Sequence, residues 1–144
     1  MAEQARRPAG PRRATQVIRS PDFKRWSSSL DAEGRARVAG MVAYIAVAGP
    51  TLGRPRVDVV HGTRMHKLKE ARVGRGIRLL FAFDSNQNLV MLVGGDKTGN
   101  WNRWYPKNID RAEELYGAHE RSIGKEPRWL AQRATPRRPP ETSR

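Results

Sequence analysis

Apolar residues recur at helical spacing in the first third of the chain. Ser20 and Pro21 form a helix-start signature, an N-cap hydroxyl followed by proline at the first helical position. Phe23, Trp26 and Leu30 then follow at a spacing that places them on one side of a helix. The pattern therefore predicts a first amphipathic helix from residue 21.

A second helix is predicted after Asp31, whose side chain suits an N-cap. Its expected buried face consists of four apolar residues, Val38, Met41, Val42 and Ile45. Gly49 and Pro50 end it, since glycine favours the helix C-terminus and proline cannot continue a helix. Residues 20–49 are thus predicted to form a helical hairpin.

Three short strand-like runs follow one another in the middle of the chain, separated by turn residues. They are Met65–Val73, Ile77–Phe83 and Leu89–Val93. The second run is apolar almost throughout, which is typical of a central strand. The three runs predict a small antiparallel sheet, and Thr15–Arg19 is a further short strand candidate.

Turn-forming residues set the expected ends of these strands. Residues 73–76 (Val-Gly-Arg-Gly) predict a hairpin turn. Residues 84–88 predict a second turn, in which Asp and Asn suit a positive φ. Gly94 and Gly95 are expected to end the third strand, because glycine permits tight backbone geometry.

A last helix and two basic tails complete the predicted organisation. The helix is expected to begin at Pro106 or Asn108, and its apolar stripe is Ile109, Ala112, Leu115, Tyr116 and His119. Residues 1–14 and 121–144 are rich in Arg and Pro, which predicts disordered arms. The predicted fold class is α+β: a single domain at 15–120, with the helical hairpin packed on the antiparallel sheet.

Composition narrows the classes of site that the domain can carry. The 144-residue chain contains no cysteine, which excludes disulfides and thiolate zinc sites and fits a reducing cytoplasm. Its three histidines are too few for a convincing metal cage, so neither a metal nor a cofactor is expected. No apolar run approaches the roughly 18–20 residues that span a bilayer, so no membrane partner is expected.

The net charge of +14 indicates a polyanionic partner. Residues 1–14 contribute +3 of it and residues 121–144 contribute +5. The remaining body is still basic, and a positive body attracts phosphate polymers through counterion release without sequence preference. Nucleic acid is therefore the expected partner, while plain solubility is the alternative explanation of the charge.

Two arginines flank the predicted hairpin turn. Arg72 and Arg78 lie six residues apart, so a tight turn can place them side by side on neighbouring strands. A phosphate bound between the two guanidinium groups would relieve their repulsion. In the alternative, Arg72 pairs with Glu70 or another acid, and Arg78 lies at the surface.

Lys97 directly follows the last apolar strand. An ammonium group at such a strand end can transfer a proton or stabilise a developing oxyanion. The alternative is a solvated turn lysine paired with Asp96.

Basic and aromatic residues in the same stretch predict an RNA-binding surface. Aromatic rings with an interleaved arginine can stack on bases. The predicted RNA-binding residues are Lys67, Lys69, Arg75, Trp101, Arg103 and Trp104. In the alternative, at least one tryptophan belongs to the core, and Tyr105 is the more exposed chemical candidate. His61 and His66 suit acid–base chemistry by type, but they do not alternate with the strand lysines.

The order of these motifs resembles the RelE/HigB superfamily, and more narrowly the phage-derived Gp49-like HigB toxins of bacterial type II toxin–antitoxin modules. The resemblance covers about residues 15–120. It rests on Gly53–Pro55, Lys69–Arg72, Ile77–Asp84, Val93–Lys97 and Trp104–Tyr105, followed by Ile109 and Ala112.

The resemblance implies a RelE-like fold and a ribosome-dependent mRNA endoribonuclease that uses no metal and inhibits translation and growth. In this family the ribose 2′-hydroxyl attacks the adjacent phosphate, and the implied catalytic residues are Arg72, Arg78, Lys97 and Tyr105. The implied partners are mRNA on the ribosome and a HigA/RelB-like antitoxin with a helix-turn-helix. The alternatives are a ParE-like toxin that poisons gyrase and a non-catalytic basic RNA-binding protein.

Overall fold

The computed structural model describes residues 15–96, 99 and 101–132. Within them, five strands form one sheet with the order β1-β5-β4-β3-β2. The strands are β1 (Val17–Arg19), β2 (Val57–Val59), β3 (Lys69–Val73), β4 (Ile77–Phe83) and β5 (Leu89–Asp96). The helices are α1 (Pro21–Ser28), α2 (Ala32–Ala48) and α3 (Trp101–Ser122), and a short 3-10 helix follows at Arg128–Ala131.

The sheet is mixed, so the prediction of a purely antiparallel sheet is wrong at one edge. Strands β2 to β5 pair antiparallel, but β1 pairs parallel with β5. Parallel neighbours need a long crossover, and helices α1 and α2 and strands β2 to β4 lie between these two strands. The apolar run Ile77–Phe83 is the central strand, as its composition predicts.

Helices α1 and α2 begin at the predicted caps. The hydroxyl of Ser20 accepts a hydrogen bond from the backbone N–H of Phe23 at 2.9 Å. The carboxylate of Asp31 accepts one from the N–H of Gly34 at 2.8 Å. Helix α2 ends at Gly49, whose φ of 85° favours glycine.

Helices cover both faces of the sheet and enclose two apolar clusters. One face packs against α1 and α2, through residues that include Phe23, Ile45 and Phe81. The other face packs against α3, through residues that include Leu80 and Trp104. Alternation along β3 and β4 therefore decides which side chains point towards α3.

Three element boundaries differ from those predicted. Strand β3 begins at Lys69 rather than at Met65, and residues 65–68 belong to the preceding loop. Strand β5 continues through both glycines to Asp96. Helix α3 begins at Trp101, so the predicted aromatic loop is helical and Pro106 lies inside the helix.

The turn between β4 and β5 also differs in detail from the prediction. Its positive φ, 65°, falls on Gln87 rather than on an aspartate or asparagine. The Asp84 carboxylate instead accepts the N–H groups of Asn86 and Asn88, both at 2.9 Å. The acidic residue of this turn therefore stabilises it through its side chain.

Part of the predicted C-terminal tail is structured. Residues 121–132 complete α3 and fold back as the 3-10 helix. There the indole N–H of Trp129 donates to Glu120 at 2.7 Å. The buried carboxylate of Glu113 binds Arg64, which donates in turn to the carbonyl of Leu130. Residues 1–14 and 133–144 lie outside the described residues.

Candidate active site

Arg72 and Arg78 lie directly opposite each other on β3 and β4, as the short turn predicts. The Arg72 side chain is 37 % exposed and makes two long ion pairs, to Asp58 at 3.6 Å and to Glu70 at 3.8 Å. The alternative expectation of an acidic partner for Arg72 is therefore correct. Its guanidinium also donates to the carbonyl of Pro55 at 3.2 Å.

Arg78 is buried, which contradicts the expectation of a surface side chain. Its guanidinium donates to the carbonyl of Ile77 at 2.8 Å and to that of Gly74 at 3.3 Å. These bonds from Arg78 stabilise the hairpin turn and fix its positive charge on the face of the sheet that packs against α3.

Glu70 lies on the same face, two residues before Arg72, and is buried. The hydroxyl of Tyr105 reaches down from α3 and donates a hydrogen bond to its carboxylate. Burial and the Glu70 carboxylate both raise the pKa of Tyr105, while the nearby Arg78 charge opposes the shift. Tyr105 therefore stays protonated and acts as a hydrogen-bond donor.

Two adjacent glycines in β5 let tryptophans approach the sheet from both sides. A Cβ added to Gly95 would lie 2.4 Å from Trp104 Nε1, and one added to Gly94 would lie 2.2 Å from Trp26 Cζ3. The Trp104 ring is buried there and meets the Tyr105 ring edge-on, with 5.0 Å between centroids. Trp104 thus belongs to the core, and its predicted role as a base-stacking platform is wrong.

Lys69 lies on the opposite face of the sheet, since it precedes Glu70 by one position. Its ammonium group donates to the carbonyls of Pro50 and Leu52 in the loop that follows α2. Lys69 therefore anchors a loop and does not share a face with Arg72 and Arg78, and its contact with RNA stays a prediction.

The remaining predicted site residues are Lys67, Arg75, Arg103, Trp101 and Lys97. Lys67, Arg75 and Arg103 are exposed, and Arg75 occupies the hairpin turn beside the two opposed arginines. Trp101 begins α3. Lys97 lies outside the described residues.

Two of the three histidines are exposed, and the third is paired with a buried carboxylate. His61 and His66 are exposed. His119 pairs with the buried Asp84 at 2.8 Å, near the β4–β5 turn. Among the described residues, no group of three His, Cys, Asp or Glu side chains could hold a metal ion.

The α3 side of the sheet thus gathers a carboxylate, a phenol and two guanidinium groups. These are Glu70, Tyr105, Arg72 and Arg78, hereafter the Glu70 cluster. It can accept a proton at the carboxylate and bind an anion at the guanidinium groups. Sequence reasoning treated Glu70 mainly as an ion partner of Arg72, because only the packing of α3 brings Tyr105 to it.

Residues 25–117 match the family of the phage derived protein Gp49-like (DUF891), and the match covers more than half of the chain. The chain belongs to the Gp49-like family. All four residues of the Glu70 cluster lie within the matched region. Among the described residues of this Gp49-like chain, no helix is long and apolar enough to cross a membrane.

Two similar proteins come from Mycobacterium tuberculosis (strain H37Rv), and both are named as candidate toxins. The chain is 46 % identical to HigB3 over 99 residues, which are 68 % of this chain and 87 % of HigB3. It is 38 % identical to HigB2 over 98 residues, which are 65 % of this chain and 49 % of HigB2. The Gp49-like chain thus covers most of HigB3 but spans about half the length of HigB2.

Proposed function

We propose that this protein is the toxin of a type II toxin–antitoxin module and that it cleaves mRNA on the ribosome in the cytoplasm. The observation that carries the proposal is the Glu70 cluster, which places a proton acceptor beside two anion-binding guanidinium groups. Similarity to two proteins named as candidate toxins supports the biological role. A HigA/RelB-like antitoxin is the proposed partner that holds the toxin inactive.

The proposed reaction is an attack of the ribose 2′-hydroxyl on the adjacent phosphorus. The Glu70 carboxylate takes the hydroxyl proton as the new P–O bond forms. The bond from phosphorus to the 5′-oxygen breaks, leaving a 2′,3′-cyclic phosphate and a 5′-hydroxyl. Lys97, directly after β5, is the proposed donor of the proton that the leaving oxygen gains.

Arg72 and Arg78 stabilise the charge that develops on the phosphate. Fork-shaped guanidinium groups bind phosphate oxygens in pairs, and their charge matters most where water is excluded. Arg78 is fixed by two backbone carbonyls, so it is already oriented before RNA binds.

Arg72 is the group that RNA meets first, because Arg78 and Glu70 are buried. Its ion pairs, at 3.6 and 3.8 Å, are long and partly exposed, and such pairs contribute only about 0–1 kcal/mol. A phosphate can therefore replace the carboxylates around Arg72. Movement of Arg72 then opens the path to Glu70.

Tyr105 positions the Glu70 carboxylate rather than acting as a base. Its raised pKa keeps the phenol protonated near neutral pH, so its hydrogen bond orients one carboxylate oxygen. Loss of this donor would remove the hydrogen bond that orients the carboxylate.

The test is to induce the full chain in bacteria and map the 5′ ends of cellular mRNA. We expect new cuts in phase with the codon in the ribosomal A site, absent with Glu70→Gln. Glu114→Gln is the matched control, because it makes the same chemical change on α3 at a carboxylate that is 64 % exposed.

Two results would overturn the proposed activity. Growth arrest with DNA damage and intact mRNA would favour a ParE-like toxin. Unchanged growth and intact mRNA in cells that contain folded protein would leave a basic RNA-binding protein.

A further inference from the structure

Helix α2 is apolar on a side that the described residues leave largely exposed. From Val38 to Ala48 it contains no charged residue. Val38, Val42 and Ile45 pack against the sheet. A helix that is apolar all round is usually buried all round, so an exposed side is unusual.

The exposed side has helical spacing and contains a large aliphatic group. It consists of Gly40, Ala43, Tyr44 and Val47, hereafter the outer face of α2. Val47 is 90 % exposed and Tyr44 is 40 % exposed. Contiguous apolar surface of this kind marks an interaction site more often than isolated exposed residues do.

A groove of about 350 Å³ continues the outer face towards the β3–β4 turn. Three arginines, Arg37, Arg56 and Arg72, line it together with Gly40 and Tyr44. The Arg56 guanidinium lies 4.8 Å from the centroid of the Tyr44 ring, a cation–π contact. A Cβ added to Gly40 would meet nothing within 4 Å, so a ligand can approach the helix backbone closely.

We propose that the outer face of α2 and this groove bind an acidic, amphipathic segment of the antitoxin. Its apolar side chains would cover Val47 and Ala43, and its carboxylates would pair with Arg37 and Arg56. The inference rests on the proposed function for the identity of the partner. The surface itself follows from the exposed apolar stripe and the three arginines beside it.

Charge complementarity selects this occupant over two others. A second copy of the chain, with its net charge of +14, would bring like charges together at the groove. RNA would satisfy the arginines but would leave the aliphatic Val47 without a matching contact. An acidic segment with an apolar side satisfies both parts of the surface.

The outer face of α2 lies on the other side of the sheet from Glu70 and Tyr105, although the groove that continues it reaches Arg72 of the Glu70 cluster. Helix α2 packs on the face that contains Ala71 and Leu79, while Tyr105 approaches the face that contains Leu80. An antitoxin segment bound along α2 therefore leaves the Glu70–Tyr105 contact uncovered. Val47 and Arg37 lie outside the Glu70 cluster, so substitutions there can alter binding without removing a group proposed to act on RNA.

The test measures, by isothermal titration calorimetry, binding of the purified full chain to its proposed antitoxin, the product of the helix-turn-helix reading frame that the proposed function expects next to its gene. We expect Val47→Glu and Arg37→Glu each to weaken binding at least tenfold. Val47 is almost fully exposed, so its replacement removes little packing. Ala118→Glu, at an exposed position of α3, adds the same charge elsewhere and should bind as the wild type does.

Binding of Val47→Glu within twofold of the wild type would overturn the proposal, as would failure of the wild type to bind this product. If Val47→Glu lost as much affinity for a 12-nucleotide single-stranded RNA as for this product, the surface would be assigned to RNA instead. A wild-type dimer in sedimentation that Val47→Glu dissociates would assign it to a second copy.

The cleavage assay separates this proposal from the proposed function. Without the antitoxin, Val47→Glu should cleave mRNA at the wild-type rate. If the wild type cleaves no mRNA but Val47→Glu still loses the partner, the ribonuclease activity is wrong and the docking surface stands.

Discussion

Gly94→Ala and Gly95→Ala test whether the missing side chains of these glycines allow Trp26 and Trp104 to pack on the sheet. The added methyl group would lie 2.2 Å from a Trp26 ring carbon or 2.4 Å from the Trp104 ring nitrogen. Carbon atoms in favourable contact lie about 3.5–4.0 Å apart, so each ring must move by roughly 1 Å. Such overpacking typically costs about 1–3 kcal/mol, and we expect each variant to lose that much unfolding free energy.

The two variants should differ in activity although they are similar in stability. Only Gly95→Ala displaces Trp104, and the next residue on α3 is Tyr105, which holds Glu70. A misplacement of about 1 Å can cost on the order of 100-fold in rate. RNA cleavage should therefore fall much further in Gly95→Ala than in Gly94→Ala.

Urea titration gives the free energies of unfolding. Cleavage rates are measured without urea, at a temperature where both variants remain folded. Gly40→Ala is a control that should change the free energy of unfolding in the opposite direction, because an added methyl group at this helix position meets nothing within 4 Å. It should stabilise the chain by about 0.5–1 kcal/mol. Wild-type stability for Gly95→Ala, or equal cleavage by the two strand variants, would refute the reasoning.

Three further predictions concern ion pairs away from the Glu70 cluster. Glu113→Gln should lower the unfolding free energy by about 3 kcal/mol in urea titration, because it leaves the charge of Arg64 without its buried partner; an unchanged midpoint would contradict this. His119→Ala should cost about 1–3 kcal/mol, since a buried carboxylate loses a bond of 2.8 Å, and a loss below 0.5 kcal/mol would count against that contact. A hydrogen bond from Arg111 lowers the pKa of Asp22, so Asp22→Asn should lose at most about 1 kcal/mol above pH 4. That difference should vanish as the pH falls through the lowered pKa, and a difference that persists in acid would contradict the assignment.

Local signals in the sequence were enough to predict most of the elements and one contact between strands. The caps Ser20 and Asp31 begin their helices because side-chain oxygens satisfy free backbone N–H groups, which is a local effect. The opposition of Arg72 and Arg78 follows from the length of one turn. Both predictions depend on residues close together in the chain.

The errors arose where distant packing overrides a local preference. Gly94 and Gly95 resemble a strand end, yet they continue β5 because two rings from opposite layers need the space of their missing side chains. Pro106 resembles a helix start, yet α3 begins earlier, where Trp104 packs on the sheet.

Glu70 shows the same limit for the candidate site. Its neighbours in sequence indicate an ion pair with Arg72, and that pair is present but long. The closer partner is Tyr105, which lies 35 residues away and reaches Glu70 only because α3 crosses this face of the sheet. A spacing within one strand cannot predict that contact.

The central claim is that Glu70 removes the proton of the attacking 2′-hydroxyl. The most direct measurement is the single-turnover rate of cleavage of a ribosome-bound mRNA by the purified chain, together with chemical analysis of the new ends. The wild type should leave a 2′,3′-cyclic phosphate and a 5′-hydroxyl, and Glu70→Gln should be slower by at least about 100-fold. Cleavage by folded Glu70→Gln at the wild-type rate would contradict the account.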